Sequence, residues 1–132
     1  MKDNQNAILL LEYEKAQDAA NHLNQISWTI TSLSFVFLGV LITISNELNK
    51  LPISIKSLFF IAFTIFWGHI SWLFIKSQKR KIEEYVLCWE IGNSLDMKRK
   101  LNRPEHNLLA YSIYLIFMLL FWFIFYFMLF GL

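Results

Sequence analysis

Three long stretches of this chain carry almost no charge, and sharply polar segments separate them. Between Asp18 and Glu47 the one acid, base or histidine is His22. Between Lys56 and Lys76 it is His69, and after His106 there is none. A helix needs about 20 mostly apolar residues to cross the hydrocarbon core of a bilayer. Residues 26–45, 57–75 and 108–130 meet that requirement. Hydrocarbon offers no partner for free backbone groups, so each stretch is expected to be helical.

The polar flanks carry a helical pattern of their own. Leu9, Tyr13, Ala16, Ala20, Leu23, Ser27 and Ile30 recur at alternating spacings of four and three. That is the seam of a helix packed on a helix. No Gly or Pro precedes Gly39, so one helix is expected from about residue 7 to residue 45. Residues 76–91 also lack Gly and Pro, and Ile82, Tyr85, Val86 and Trp89 fall on one stripe. Gly92-Asn93-Ser94 predicts a break. Leu95, Met97 and Leu101 suggest a further amphipathic turn or two. Arg103-Pro104-Glu105 predicts the start of the third helix, with Pro near its first position.

The expected fold class is therefore an all-α integral membrane protein. It has three transmembrane helices, the first two extended into a cytoplasmic helical hairpin. The expected divisions are a cytoplasmic amphipathic helix over 1–25, span one over 26–45, an outer loop over 46–56 and span two over 57–75. A basic cytoplasmic segment over 76–107 leads to span three over 108–130. In the hairpin the Leu9–Tyr13–Ala16–Ala20–Leu23 seam is expected to pack on the Ile82–Tyr85–Val86–Trp89 stripe. The third span, bulky all round, is expected mostly to face lipid.

Composition agrees. The 132 residues are 56% hydrophobic and 17% charged, with a mean hydropathy of +0.43, whereas soluble domains carry about a quarter charged residues. A soluble enzyme domain, a disordered chain and a disulfide-stapled module are poor fits. The single Cys88 excludes an internal disulfide. A net charge of +2, without aromatics interleaved among the bases, gives no reason to expect nucleic acid. The polar start predicts no cleavable signal, so span one is expected to act as an uncleaved insertion signal.

The charge distribution predicts orientation. Ten of the twelve Lys and Arg lie before span one or between spans two and three. The positive-inside rule then puts the N-terminus and the long loop in the cytoplasm and the C-terminus outside. Lys76, Lys79, Arg80, Lys81, Lys98, Arg99, Lys100 and Arg103 are candidates for contact with anionic lipid.

Within the spans, the candidate pore or oligomer-interface residues are Thr31, Ser34, Gly39, Thr43, Thr64, Gly68 and His69. Thr64-x-x-x-Gly68 has the small-xxx-small spacing of close helix contacts. His69 is the one ionisable group inside a span, a costly placement that raises a gating or proton-relay role. The competing expectation is a neutral histidine bonded to a hydroxyl such as Thr31 or Ser34. No hydrolase, zinc-protease or phosphate-loop motif is present. Asp18 with His22 is too little for a metal, and Cys88 with His22 or His106 is a weak nucleophile pair. No catalytic residue, metal or cofactor is expected.

The layout resembles the small helical membrane effectors found beside bacterial anti-phage systems, including the SLATT-type two-span proteins. The residues that carry the likeness are Tyr13-Glu14-Lys15-Ala16 leading to Ser27-Trp28-Thr29-Ile30-Thr31-Ser32-Leu33, and Trp89-Glu90-Ile91-Gly92-Asn93-Ser94-Leu95. It covers about residues 10–100, and the third span departs from the two-span pattern. The resemblance implies a place in the bacterial inner membrane, where activation disrupts that membrane and arrests the infected cell.

Three functions are compatible with this pattern. The first is a non-enzymatic, homo-oligomeric pore-forming or membrane-perturbing effector with a cytoplasmic sensing hairpin, its partners being membrane lipids and copies of itself. The second is an accessory anchor that recruits a cytoplasmic protein partner. The third is a small transporter or channel using His69, for which charged spans or repeated halves would be expected and are missing.

Overall fold

The structure, a computed structural model, describes residues 1–95, 103–105 and 108–131, with Ala110 described by its backbone alone. Among the described residues there are three helices and no strand: α1 (Lys2–Asn49), α2 (Ile53–Ser94) and α3 (Leu108–Phe130). All three are long and apolar enough to cross a membrane.

The links differ from the sequence expectation in length. The outer loop, expected over 46–56, is only Lys50, Leu51 and Pro52. The amides of Lys50 and Leu51 donate to the carbonyls of Glu47 and Leu48, closing α1 with tight turns. Pro52 has no N–H to continue that ladder. Its carbonyl instead accepts from Ile55 and Lys56 and opens α2. The break expected at Gly92-Asn93-Ser94 coincides with the end of α2: the helix passes through Gly92 and Asn93 and its last residue is Ser94. A lone Gly weakens a helix by about 1 kcal/mol without forbidding it. Arg103-Pro104-Glu105 is irregular, and the first described helical residue of α3 is Leu108. The further turn suggested by Met97 and Leu101 lies outside the described residues.

The chain divides into two compact units. Unit 1 is Met1–Trp28 with Lys76–His106, and unit 2 is Thr29–Ile75 with Asn107–Leu132.

Unit 1 is a pair of antiparallel helical arms. The Cys88 thiol donates to the carbonyl of Tyr13 at 3.7 Å, Lys81 donates to Asn24 Oδ1 at 3.4 Å, and Ser77 pairs with Ser27. Partner numbers fall on α2 as they rise on α1, which is what antiparallel packing requires. Ala16 and Ala20 are buried, Ala20 completely, and Leu9, Tyr13 and Leu23 are half-buried on the same seam. On α2 the picture shifts by one residue. Ile82, Tyr85, Val86 and Trp89 are only half-buried, and the deepest positions are Ser77, Cys88 and Ile91. Two small side chains, Ser77 and Cys88, are among the three deepest positions of the inner line, and Tyr85 and Trp89 flank it.

Unit 2 packs three helix segments in an up-down-up order. Its core is Leu41 and Leu48 of α1, Phe63 and Trp67 of α2, and Tyr114, Met118, Phe121, Phe125 and Leu129 of α3. The third span is therefore not uniformly lipid-facing. It contributes the largest share of the core through one stripe, Tyr114 to Leu129, at spacings of four, three, four and four. Phe63 meets Phe125 at 4.0 Å between ring centroids, Trp67 stacks on Phe121 at 5.3 Å and Phe74 on Tyr114 at 3.6 Å. Each such pair contributes about 0.5–1.5 kcal/mol beyond its buried area. Around this core large apolar side chains face outward on every helix, among them Leu33, Val36, Leu58, Ile65 and Leu119. An apolar surface of this extent does not suit water, and the three helices suggest a membrane location.

The arm packing makes a prediction. Ala20→Leu adds three carbons where exposure is 0%, an overpacking that costs about 1–3 kcal/mol. Backbone amides of both arms should exchange hydrogen faster, while Gln17→Leu on the exposed face leaves exchange unchanged. Equal behaviour of the two variants would contradict the arm packing.

Candidate functional site

The end of unit 1 is fastened by a small polar cluster. Ser27 and Ser77 are both buried, and their hydroxyls lie 3.2 Å apart. Both reach the carbonyl of Leu23, at 3.1 and 3.2 Å. Gln78 Nε2 donates to Ser27 Oγ at 2.9 Å. A neutral network of this kind fixes register, because sliding one arm strands several polar atoms at once. The sequence signal was Ser27 on the Leu9–Ile30 seam, and the pairing with Ser77 was not legible from spacing.

The span candidates divide by where they face. Ser34 is buried, and its hydroxyl donates to the carbonyl of Ile30. Thr31 is half-buried. Gly39, Thr43, Thr64, Gly68 and His69 are exposed. Thr43 and Thr64 donate to the carbonyls of Gly39 and Phe60, and Thr64 also accepts from Trp122 Nε1 at 3.0 Å. A methyl group placed on Gly39 or Gly68 would meet no atom within 4 Å. Neither glycine therefore serves close packing within the chain.

His69 has no hydrogen bond among the described residues, and the ring of Trp72 lies 5.8 Å away. The hydroxyl partner expected from Ser34 is instead committed to Ile30. An imidazole thus stands on the outer face of an apolar helix segment. Tyr114 adds a second polar atom of this kind: its hydroxyl is buried with no hydrogen-bond partner among the described residues.

A stripe on α1 was only partly legible in the sequence. Thr29, Ser32, Val36, Gly39, Thr43 and Asn46 recur at spacings of three and four, and all six are exposed. The packed line of α1 in unit 2 is Thr31, Ser34, Leu38, Leu41, Ser45 and Leu48. Val36 stands two residues, about 200°, from Ser34. The helix thus carries one seam used within the chain and a second, mostly small and polar but with Val36 in its middle, turned away from it. Beside the second seam a groove of about 360 Å³ runs between α1 and α2, lined almost wholly by apolar residues that include Leu33, Phe37, Phe66 and Ile70.

The basic candidates also separate. Lys76, Lys79 and Arg80 are exposed. Lys81 is half-buried on Asn24, and burial lowers its pKa from the ordinary lysine value. The Arg103 guanidinium lies 5.9 Å from the Trp89 ring centroid, within cation–π range. Lys98, Arg99 and Lys100 lie outside the described residues. Among the described residues no three of His, Cys, Asp and Glu converge on a point where a metal could sit.

No protein-family model matches this chain, and neither curated proteins nor solved structures provide a match.

Cys88 yields a prediction. Burial, and next the charge of Glu84, push its thiol pKa up, against a smaller opposing backbone hydrogen bond. Thiolate is the reactive form, so a raised pKa means less of it at any pH near neutral. Alkylation of the native chain should be slow and its pH profile displaced upward. Unfolding in denaturing detergent should restore ordinary thiol reactivity. A native thiol that reacts as fast as a free one would place Cys88 outside the arm contact.

Proposed function

We propose that this chain is a non-enzymatic membrane protein that works as a homo-oligomer and opens or perturbs the bilayer, with the antiparallel arms as its regulatory end. The observation that carries the reading is the outer stripe of α1. Bilayer helices associate through small residues and side-chain hydroxyls, since lipid supplies no hydrophobic drive between them. Thr29, Ser32, Val36, Gly39, Thr43 and Asn46 form such a seam, and it is exposed along its length. One chain has three helix segments in unit 2, too few to enclose a water-filled path. Several copies around an axis would bring the stripes together, with the hydroxyls of Ser32 and Thr43 nearest the centre and Gly39 allowing close approach. The exposed His69 fits the same assembly, because an imidazole in a span calls for a protein or water partner.

The orientation follows from charge. Ten of twelve basic residues belong to the side that holds the arms, which favours arms in the cytoplasm of a bacterial cell and the C-terminus outside. A role in anti-phage defence draws on the resemblance noted above. On this reading the arms receive a signal inside the cell, and the spans act on the inner membrane.

Two tests apply. A Cβ added at Gly39 has no atom of the chain within 4 Å, so the effect of Gly39→Leu reports chiefly on contacts between copies. It should abolish the oligomer and membrane leakage on expression while leaving helix content unchanged. Phe123→Leu, on an exposed position of α3, should alter neither. A monomer from the unaltered chain in mild detergent and in membranes would remove the pore reading. Separately, reporter fusions should place residues 1 and 95 inside and residues 50 and 131 outside; an inside C-terminal fusion would overturn the orientation.

A further inference from the structure

We propose that unit 1 carries a second contact between copies: the exposed face of α1 over residues 8–25 docks on the same face of the next copy's arm. The proposal rests on the homo-oligomer reading above, and it adds the surface by which the arms join.

The face is continuous and regular. Ile8, Leu11, Lys15, Asp18, His22 and Gln25 recur at alternating spacings of three and four, and all six are exposed. Four residues beyond Gln25 comes Thr29, the first residue of the outer stripe, so the alternation runs on without a break. A repeat of seven kept over many turns holds one helix face toward a partner helix. Within the chain that partner is not α2, which packs on the opposite line of the arm, where Ala16 and Ala20 are buried. Ile8 and Leu11 are left 59% and 52% exposed, on an arm read as standing in water. They begin the repeat as an Ile and Leu pair three apart, the pairing that seams between parallel helices favour.

The charges make the face complementary to itself. Three residues turn a helix by about 300°, so alternate members of the repeat fall on two flanks roughly 60° apart. Ile8, Lys15 and His22 take one flank, and Leu11, Asp18 and Gln25 take the other. Glu14 adds a second carboxylate beside Asp18, whereas Glu12 stands nearer the line that packs on α2. Lys15 and Asp18 form no ion pair with each other or with another described residue. Insertion in a membrane gives every copy one orientation, so neighbouring arms run parallel and equal residue numbers share a level. In a ring each copy turns one flank to the copy before it and the other to the copy after it. Lys15 then faces Asp18 of the next copy, displaced by about 4.5 Å along the axis, and Ile8 faces Leu11. Like charges are kept on one flank, and opposite charges meet across the contact.

The test uses the full chain in native membranes, with single cysteines in a Cys88→Ala background and oxidative crosslinking between copies. A cysteine at residue 11 should crosslink strongly, and one at residue 17, exposed but off the face, weakly. K15E makes the face acidic and D18K makes it basic. Each alone should lower the band at residue 11 by about two- to fivefold at low salt, and less as salt rises. When the two variants are expressed together with different tags, crosslinks between unlike copies should exceed those between like copies. An ion pair confined to one chain cannot produce that preference. Bands at residue 11 no stronger than at residue 17, beside clear crosslinks at residues 32 and 39, would overturn the arm contact and leave the oligomer reading standing. Bands that ignore K15E and D18K, or mixed copies with no preference, would overturn it as well. Absence of crosslinks at residues 32 and 39 would fail the oligomer reading itself.

Discussion

One repeat governs the packing: the four-three alternation of inward positions along α2. Lys56, Phe60, Phe63, Trp67, Ile70, Phe74, Ser77, Lys81, Glu84, Cys88, Ile91 and Leu95 are all buried or half-buried, and the spacing never breaks. A strict seven-residue repeat keeps one face turned toward a partner helix over many turns. What changes along the seam is its chemistry. In unit 2 the inward residues are large aromatics, and in unit 1 they give way to Ser77, Cys88 and Ile91 beside the alanines of α1. The change suits the solvent proposed for each unit. In hydrocarbon, ring contacts and a Trp67 N–H bonded to the Met118 carbonyl at 3.1 Å hold helices together. In water, close approach of small residues and a few well-placed polar bonds can do it.

α1 follows the same repeat with one irregularity. The alternation holds from Leu9 to Ile30, and Ile30, Ser34 and Leu38 then stand four and four apart before it resumes at Leu41. An extra step of this kind locally unwinds a paired helix. The buried cluster of Ser27, Ser77 and Gln78 fixes the register of the arms ahead of that step.

Much of this was legible in the sequence. Long uncharged runs are read by counting, and three helices result. The Leu9–Leu23 seam was visible because alanines at four-three spacing have few other uses. Other features were hidden for physical reasons. Hydrophobicity drew attention to Ile82, Tyr85 and Trp89, but geometry favours small side chains where two helices approach closely, so the deepest line ran one residue earlier. α3 is apolar on every side, and no periodicity in such a segment distinguishes its packed face from its outer one. Gly92 itself stays helical, and the end of α2 comes two residues later at Ser94. The small and polar residues of span one were countable, but the separation of Ser34 from Gly39 and Thr43 into inner and outer seams needed the packed partner helices.

The central claim is that the outer seam of α1 joins copies of the chain within a membrane. The most direct measurement is a scan of single cysteines through residues 28–47 of α1 in native membranes, in a Cys88→Ala background, with oxidative crosslinking between copies. The account predicts strong dimer bands at 29, 32, 36, 39, 43 and 46, and weak ones at the inward positions 34, 38, 41 and 45. Uniformly weak crosslinking along α1, or strong crosslinking at the inward positions, would contradict it.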